Sequence, residues 1–210
     1  MTALPESLLT GNQKFLIYSF LRKSTECFDD SHNHVHAHNV YVNTMIIIDK
    51  LGIEYEEDIV FLASKLHDVC DHKYIGRGGI TIEELVSFIE KMVGEVKATR
   101  IMSIIDNISF SKEISGKRKT LDFCDDFYLQ IISDADRLEA IGEVGLERCI
   151  TFTKERGGKV PEDVVQHCKD KLLRLSTEFI RTLPGKEMAA PLHKVIQDYV
   201  DQNKVDSIDQ

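Results

Sequence analysis

Six of the eight histidines of this 210-residue chain fall between positions 32 and 72: His32, His34, His36, His38, His67 and His72. They arrive in two bursts, "DDSHNHVHAHNV" at 29–40 and "LASKLHDVCDHKY" at 62–74. The second sets His67 directly beside Asp68, with Asp71 and Lys73 just behind. Neutral imidazole is the commonest transition-metal ligand, and a neighbouring carboxylate adds a hard, anionic donor. Side by side, His67 and Asp68 can both reach one cation. A divalent cation lowers the pKa of water and neutralises phosphoryl charge, which are two needs of phosphate hydrolysis. Read alone, the second burst fits a plain surface helix end with an intrahelical His–Asp contact equally well. The first, read alone, fits an adventitious patch of i, i+4 histidine pairs.

The elements that must carry these residues are helices. Ile59, Leu62, Ala63, Leu66 and Cys70 recur at three and four, the spacing of an apolar helix face. At about 100° per residue, His67, Asp68 and Asp71 occupy one arc beside that face, with His67 and Asp71 stacked one turn apart. His36, Val40, Ile47 and Leu51 share a narrow arc, so His36 borders a buried stripe, while His34 and His38 point to solvent or a pocket rim. Further stripes run through Ile101, Ile104, Ile105 and Ile108, and through Ile131, Ala135 and Leu138. Another links Val165, Cys168, Leu172, Leu175 and Phe179, opened by Pro161 near a helix start. Leu192, Val195, Ile196 and Tyr199 follow the breaker "LPG" at 183–185. Thr81 and Glu84 have capping-box spacing. The "GRGG" at 76–79 lacks the lysine–serine ending of a phosphate-binding loop and reads as a helix-to-helix turn. "SKEISGKRKT" at 111–120 reads as a polar, basic loop. Together the spacings predict an all-α fold of about eight helices with no substantial sheet.

A composition 42% hydrophobic and 29% charged suits one domain with a sizeable core. We read 1–210 as a single domain, its core over about 29–160 and helices over 161–203 packed on it, with no linker or repeat. A net charge of −9, from 26 basic and 35 acidic residues, disfavours a broad grip on a nucleic-acid duplex. An anionic ligand must then be held by a local cluster or a metal. "FLIYSFL" at 15–21 is too short for a bilayer span and lacks the flanks of a signal peptide, so no membrane partner is expected. Five widely spaced cysteines without C-x-x-C read as buried, reduced thiols of a cytoplasmic protein.

His36, the adjacent His67-Asp68 and "SDADRLEAIG" at 133–142 resemble the H…HD…D signature of the HD-domain superfamily of metal-dependent phosphohydrolases. With Asp29, "NISFSKE" at 107–113 and "HCKDKLLRL" at 167–175, the string is similar to the small YedJ/YpgQ-like branch over about residues 29–182. The resemblance implies an HD-domain helical bundle in which His36, His67, Asp68 and Asp136 bind one divalent metal. Periodicity leaves Asp134 and Asp136 open, since they point to nearly opposite helix faces; the family's A-D-R-L pattern selects Asp136. Two-metal members add histidines between the HD pair and the last aspartate. None lies between His72 and Asp136, which implies a single metal and disfavours redox chemistry.

Two imidazoles and two carboxylates suit Mn²⁺ first, with Fe²⁺, Co²⁺, Ni²⁺ or Zn²⁺ also fitting, ahead of Mg²⁺. Asp71 stands where related alarmone hydrolases carry the first acid of "HDxxED", which implies a general acid/base or a hydrogen bond that fixes His67. His32, Lys73, Lys112 and Arg137 are the candidate contacts to the phosphates of a small nucleotide substrate. Arg137 also fits a structural pair with Glu139 or Asp134. The branch is associated with release of pyrophosphate from (deoxy)nucleoside triphosphates. The alternatives are a nucleotidase, an alarmone hydrolase, or a non-catalytic nucleotide or metal sensor.

Overall fold

The computed structural model describes residues 9–29, 32–70 and 79–203, and every regular element among them is helical. Thr10 opens α1 (Gly11–Ser24) and Thr81 opens α4 (Ile82–Val93), each through a reciprocal capping box. Asn33 caps α2 (His34–Leu51), its Oδ1 accepting from the amides of Val35 and His36 at 2.8 and 3.2 Å. Gly52 ends that helix at φ 62°, where a side chain would be strained. With α3 (Glu57–Leu66), α5 (Glu95–Ile108), α6 (Phe110–Ile114) and the start of α7 (Phe123–Glu139), these form one compact unit, Met1–Ile132.

A second unit, Ser133–Gln210, holds the end of α7, α8 (Gly142–Glu155), α9 (Glu162–His167) and α10 (Leu183–Gln202). Two π-helical turns, Cys168–Leu172 and Leu175–Phe179, continue from α9. The count reaches ten α-helices among the described residues, helped by the short α6 and α9. α6 takes the first part of the segment expected to be loop. The "LPG" at 183–185 is the first turn of α10 rather than a break before it. Pro184 has no amide to lose there, and Thr182 Oγ1 accepts from the Gly185 amide at 3.1 Å. No described helix is long and apolar enough to cross a membrane.

In the first unit α3 packs against α1, α2 and α5. Its apolar spacing predicts one buried face, yet every residue from Asp58 to His67 is buried. An enclosed helix must find partners for its polar groups. Ser64 Oγ donates to the Val60 carbonyl at 2.6 Å, and Asp58 pairs with Lys97 of α5. Arg100, also on α5, forks onto Glu56 at 2.7 and 3.0 Å and onto Asp125 at 2.8 and 3.1 Å. These ties hold the start of α3 while Ile59, Leu62 and Leu66 meet the core that Ile101 and Ile104 share. Each such side chain contributes about 1.5–3 kcal/mol by burial.

The second unit buries Val164, Cys168, Leu172, Leu175, Ile180, Ala189, Ile196 and Val200. His193 is a satisfied polar residue there, its Nδ1 hydrogen-bonded with the Ser176 hydroxyl at 2.5 Å. All five thiols are free, but Cys27 and Cys124 are exposed and only Cys168 is buried. The expectation of buried cysteines fails at those two because they sit beyond the end of α1 and in the first turn of α7, away from the apolar faces. A hydrogen bond from Cys168 outweighs burial at Cys149 and lowers its thiol from 9.0 to about 7. Iodoacetamide alkylation of Cys149, followed by peptide mapping, is therefore expected to reach half its plateau rate near pH 7. A midpoint typical of an ordinary thiol removes the Cys149–Cys168 contact from the account.

Candidate metal centre

His36 leaves α2 from its first turn, where the Asn33 cap sets the backbone direction. His67 and Asp68 follow Leu66 at the end of α3, so both come from the buried helix. His67 Nδ1 lies 2.9 Å from the Ser64 carbonyl oxygen. A carbonyl only accepts, so Nδ1 carries the proton, and the neutral ring turns the lone pair of Nε2 outward. That Nε2 stands 3.2 Å from Asp68 Oδ2, and His36 Nε2 stands 3.4 Å from the same oxygen. The two rings meet at 61° with centroids 5.3 Å apart. One donor atom from each of the three residues lies within 4.8 Å of the others.

Imidazole and carboxylate lone pairs facing each other at 3.2 Å repel unless a proton or a cation stands between them. Donors about 2.1 Å from one ion and about 90–110° apart stand about 3.0–3.4 Å from each other. The two nitrogen-to-Oδ2 spacings, 3.2 and 3.4 Å, match that requirement, and two nitrogens with a carboxylate suit a divalent transition metal. Burial would raise the carboxyl of Asp68. With no ion bound, a proton on the imidazoles takes its place: the charge of protonated His67 and hydrogen bonds from His36 and His67 then overcome burial and hold the group well below the usual carboxylate range. Asp68 is thus an anion at neutral pH, and it is the partly exposed member of the group while both rings are buried.

His32 stands beside His36, ring centroids 6.3 Å apart, with Nδ1 3.3 Å from Asp29 Oδ1. Lys112 donates to the Asp106 carbonyl at 2.9 Å and pairs with the Asp106 carboxylate. Arg137 is buried in the second unit, where it donates to the Phe179 carbonyl and lies 3.9 Å from Asp134. Asp134 is enclosed and accepts from the amides of Arg181 and Thr182 at 3.0 and 2.7 Å and from Thr182 Oγ1 at 2.7 Å. It is therefore committed to the chain turn before α10, whereas Asp136 on the same helix is partly exposed. Asp71, Lys73 and most of "GRGG" lie outside the described residues.

Sequence reasoning passed over Lys65, a cation inside the apolar run "FLASKLH". It has no exposed surface. Its Nζ donates to His38 Nδ1 at 3.0 Å and lies 4.9 Å from the ring centroids of both Tyr18 and Tyr41. Burial lowers its pKa from 10.5 to about 8. His38, at the exposed rim where its helix phase places it, is lowered by the charge on Lys65 and then by burial.

A lysine whose folded pKa lies below its unfolded value penalises the charged native state. The cost is full below about pH 8 and fades as pH rises toward 10.5. Urea unfolding is expected to show Lys65→Met at least as stable as wild type at pH 7. The wild type should then gain on the variant by up to about 3 kcal/mol by pH 10. A difference between the two proteins that does not change with pH refutes the buried charge.

No protein-family model matches the chain. YpgQ of Bacillus subtilis is 29% identical over 152 residues, spanning 70% of this chain and 72% of that protein. The crystal structure of B. subtilis YpgQ in complex with ADP superposes with a TM-score of 0.72 at 24% identity, covering 91% of this chain and 93% of that one. A Lactobacillus plantarum structure reaches a TM-score of 0.75 at 23% identity over 93% and 96% of the two chains. An HD-superfamily hydrolase from Bacillus thuringiensis reaches 0.69 at 22% identity over 92% and 96%. The chain is a homologue of YpgQ and shares its helical fold.

Proposed function

We propose that this protein is a single-metal phosphohydrolase of nucleotides that releases pyrophosphate from nucleoside triphosphates. The observation that carries the reading is the convergence of His36, His67 and Asp68 on one point from α2 and the end of α3. The motif order and the likeness to a structure solved with ADP support the substrate class.

His36, His67 and Asp68 would hold the ion, with Asp136 assigned as fourth donor by the sequence pattern. A bound divalent ion supplies neutralisation of phosphoryl charge and an acidified water. The Ser64 carbonyl fixes the His67 ring and its tautomer, so the donor nitrogen needs no reorientation. Asp68 keeps its charge at neutral pH because the imidazoles favour the anion. Asp71 is assigned the proton transfer to the leaving group. His32 and Lys112, with Lys73 and Arg137, are assigned to the phosphates, an attraction that a chain of net charge −9 must supply locally.

The test strips the purified protein with a chelator and screens nucleotides with Mn²⁺, Co²⁺, Ni²⁺ or Mg²⁺, beside an Asp68→Ala control. Metal-dependent pyrophosphate release that is absent from the control is the expected result. Inorganic phosphate as sole product replaces the reading with a nucleotidase. Nucleotide binding without turnover under every metal replaces it with a sensor.

A further inference from the structure

One polar link between α2 and α3 lies at the metal centre, and a second lies beside it. His36 meets His67 and Asp68; separately, Lys65 Nζ donates to His38 Nδ1 at 3.0 Å. On α2 the two linking residues, His36 and His38, are two positions apart, which is about 200° of rotation; Lys65 is two positions from His67 and three from Asp68. Links on opposite flanks of a helix pair resist rotation of either helix about its own axis, which one link alone does not. The second link is itself held rigidly. Tyr18 of α1 and Tyr41 of α2 face the ammonium at 4.9 Å, and Tyr41 packs edge-on against Phe61 of α3 with centroids 5.0 Å apart. Stability does not call for a fully enclosed cation at this position, since an apolar side chain of the same length avoids its desolvation. The placement of the charge makes sense as geometry instead.

We propose that Lys65 is a positioning residue of the metal centre: by anchoring His38 it sets the rotation of α2 and aims His36 at the ion shared with His67 and Asp68. The inference rests on the metal-centre reading above and deepens it.

Two measurements on the full chain test it. Co²⁺ added to chelator-treated protein reads the centre through its visible absorption bands. Long-range ¹H–¹⁵N spectra of the metal-free protein read the His36 and His67 rings with no metal present. Lys65→Met keeps the stem, and His38→Ala, at an exposed position, cuts the same link should the first variant not fold.

Each variant is expected to weaken Co²⁺ binding about tenfold, the scale of a lost outer-shell partner, and to shift the His36 ring resonances. Lys65→Met should do so without a lower urea midpoint at pH 7, whereas His38→Ala, which removes the acceptor of an enclosed ammonium, should lower it. The double variant should lose no more than either single one, because both cut one link. His38→Asn, which retains an acceptor, should restore most of the affinity. Wild-type affinity in both variants overturns the proposal and leaves the metal reading standing. So do losses that add in the double variant, or unmoved His36 resonances. A wild type that takes up no Co²⁺ overturns the metal reading and the proposal together.

Discussion

Asp68→Asn is expected to lower Mn²⁺ affinity by at least about a hundredfold and to abolish metal-dependent hydrolysis while leaving the helical circular-dichroism spectrum intact. The magnitude follows from what lesser changes cost: loss of a group that merely orients a ligand lowers affinity about 10–100-fold, and a donor itself costs no less. Asp68 is also the residue on which the group is centred, since a single oxygen, Oδ2, faces both His67 Nε2 at 3.2 Å and His36 Nε2 at 3.4 Å. Asparagine keeps the shape and one oxygen but removes a full negative charge. That charge is present throughout the neutral range, because the neighbouring imidazoles hold the carboxyl well below its ordinary value. The fold should tolerate the change, as the side chain is partly exposed and the apolar residues of α3 are untouched. Mn²⁺ titration by electron paramagnetic resonance, with pyrophosphate release measured on the same samples, decides it. A variant that binds Mn²⁺ as tightly as wild type sinks Asp68 as a ligand.

How far the sequence foretold this centre can be judged residue by residue. His36 bordering a buried stripe and His67-Asp68 closing an apolar helix were legible because helical phase alone sets which residues share an arc. The meeting of the two bursts was legible only through motif order, since periodicity says nothing about which helices pack together. The enclosure of α3 was not legible: its three–four spacing describes one buried face, and the burial of Asp58, Ser64 and Lys65 depends on partners 27 to 39 residues away, in α2 and α5, as well as on local carbonyls. Lys65 was missed for the same reason, because a lysine in an apolar run ordinarily snorkels to solvent. The "LPG" segment reads as a break because proline is costly within a helix, although α10 tolerates Pro191 there, but is favoured in the first turn, and only the Thr182 cap tells the two cases apart.

The ambiguity between Asp134 and Asp136 yields a second large effect: Asp134→Ala is expected to cost about 3–4 kcal/mol of stability and Asp136→Asn almost none. Asp134 has no exposed surface, and its carboxylate gathers the Arg181 amide, the Thr182 amide and the Thr182 hydroxyl. Alanine orphans those donors at about 1–3 kcal/mol for each buried one. It also loosens Thr182, whose hydroxyl oxygen caps α10, for about 1 kcal/mol more. The turn cannot close over the gap cheaply. A Cβ on Gly185 would already fall 2.7 Å from Thr182 Oγ1 and 2.9 Å from Asp134 Oδ2, so the backbone is packed to contact there. Asp134→Asn, turning its amide oxygen to the Oδ2 position, keeps the acceptor and should cost about 1 kcal/mol. Burial raises the Asp134 carboxyl above its ordinary value despite the hydrogen bonds from Thr182 and Arg181. Its pH-dependent part is thus a penalty on the ionised form, relieved as pH falls through the native titration, and the comparison belongs at pH 7. Urea unfolding and Co²⁺ titration of the three variants separate the roles: Asp134→Ala should fail in the first assay, and Asp136→Asn, if it is a ligand, in the second. An Asp134→Ala protein within about 1 kcal/mol of wild type removes the anchor, and an Asp136→Asn protein with full Co²⁺ affinity removes the fourth donor.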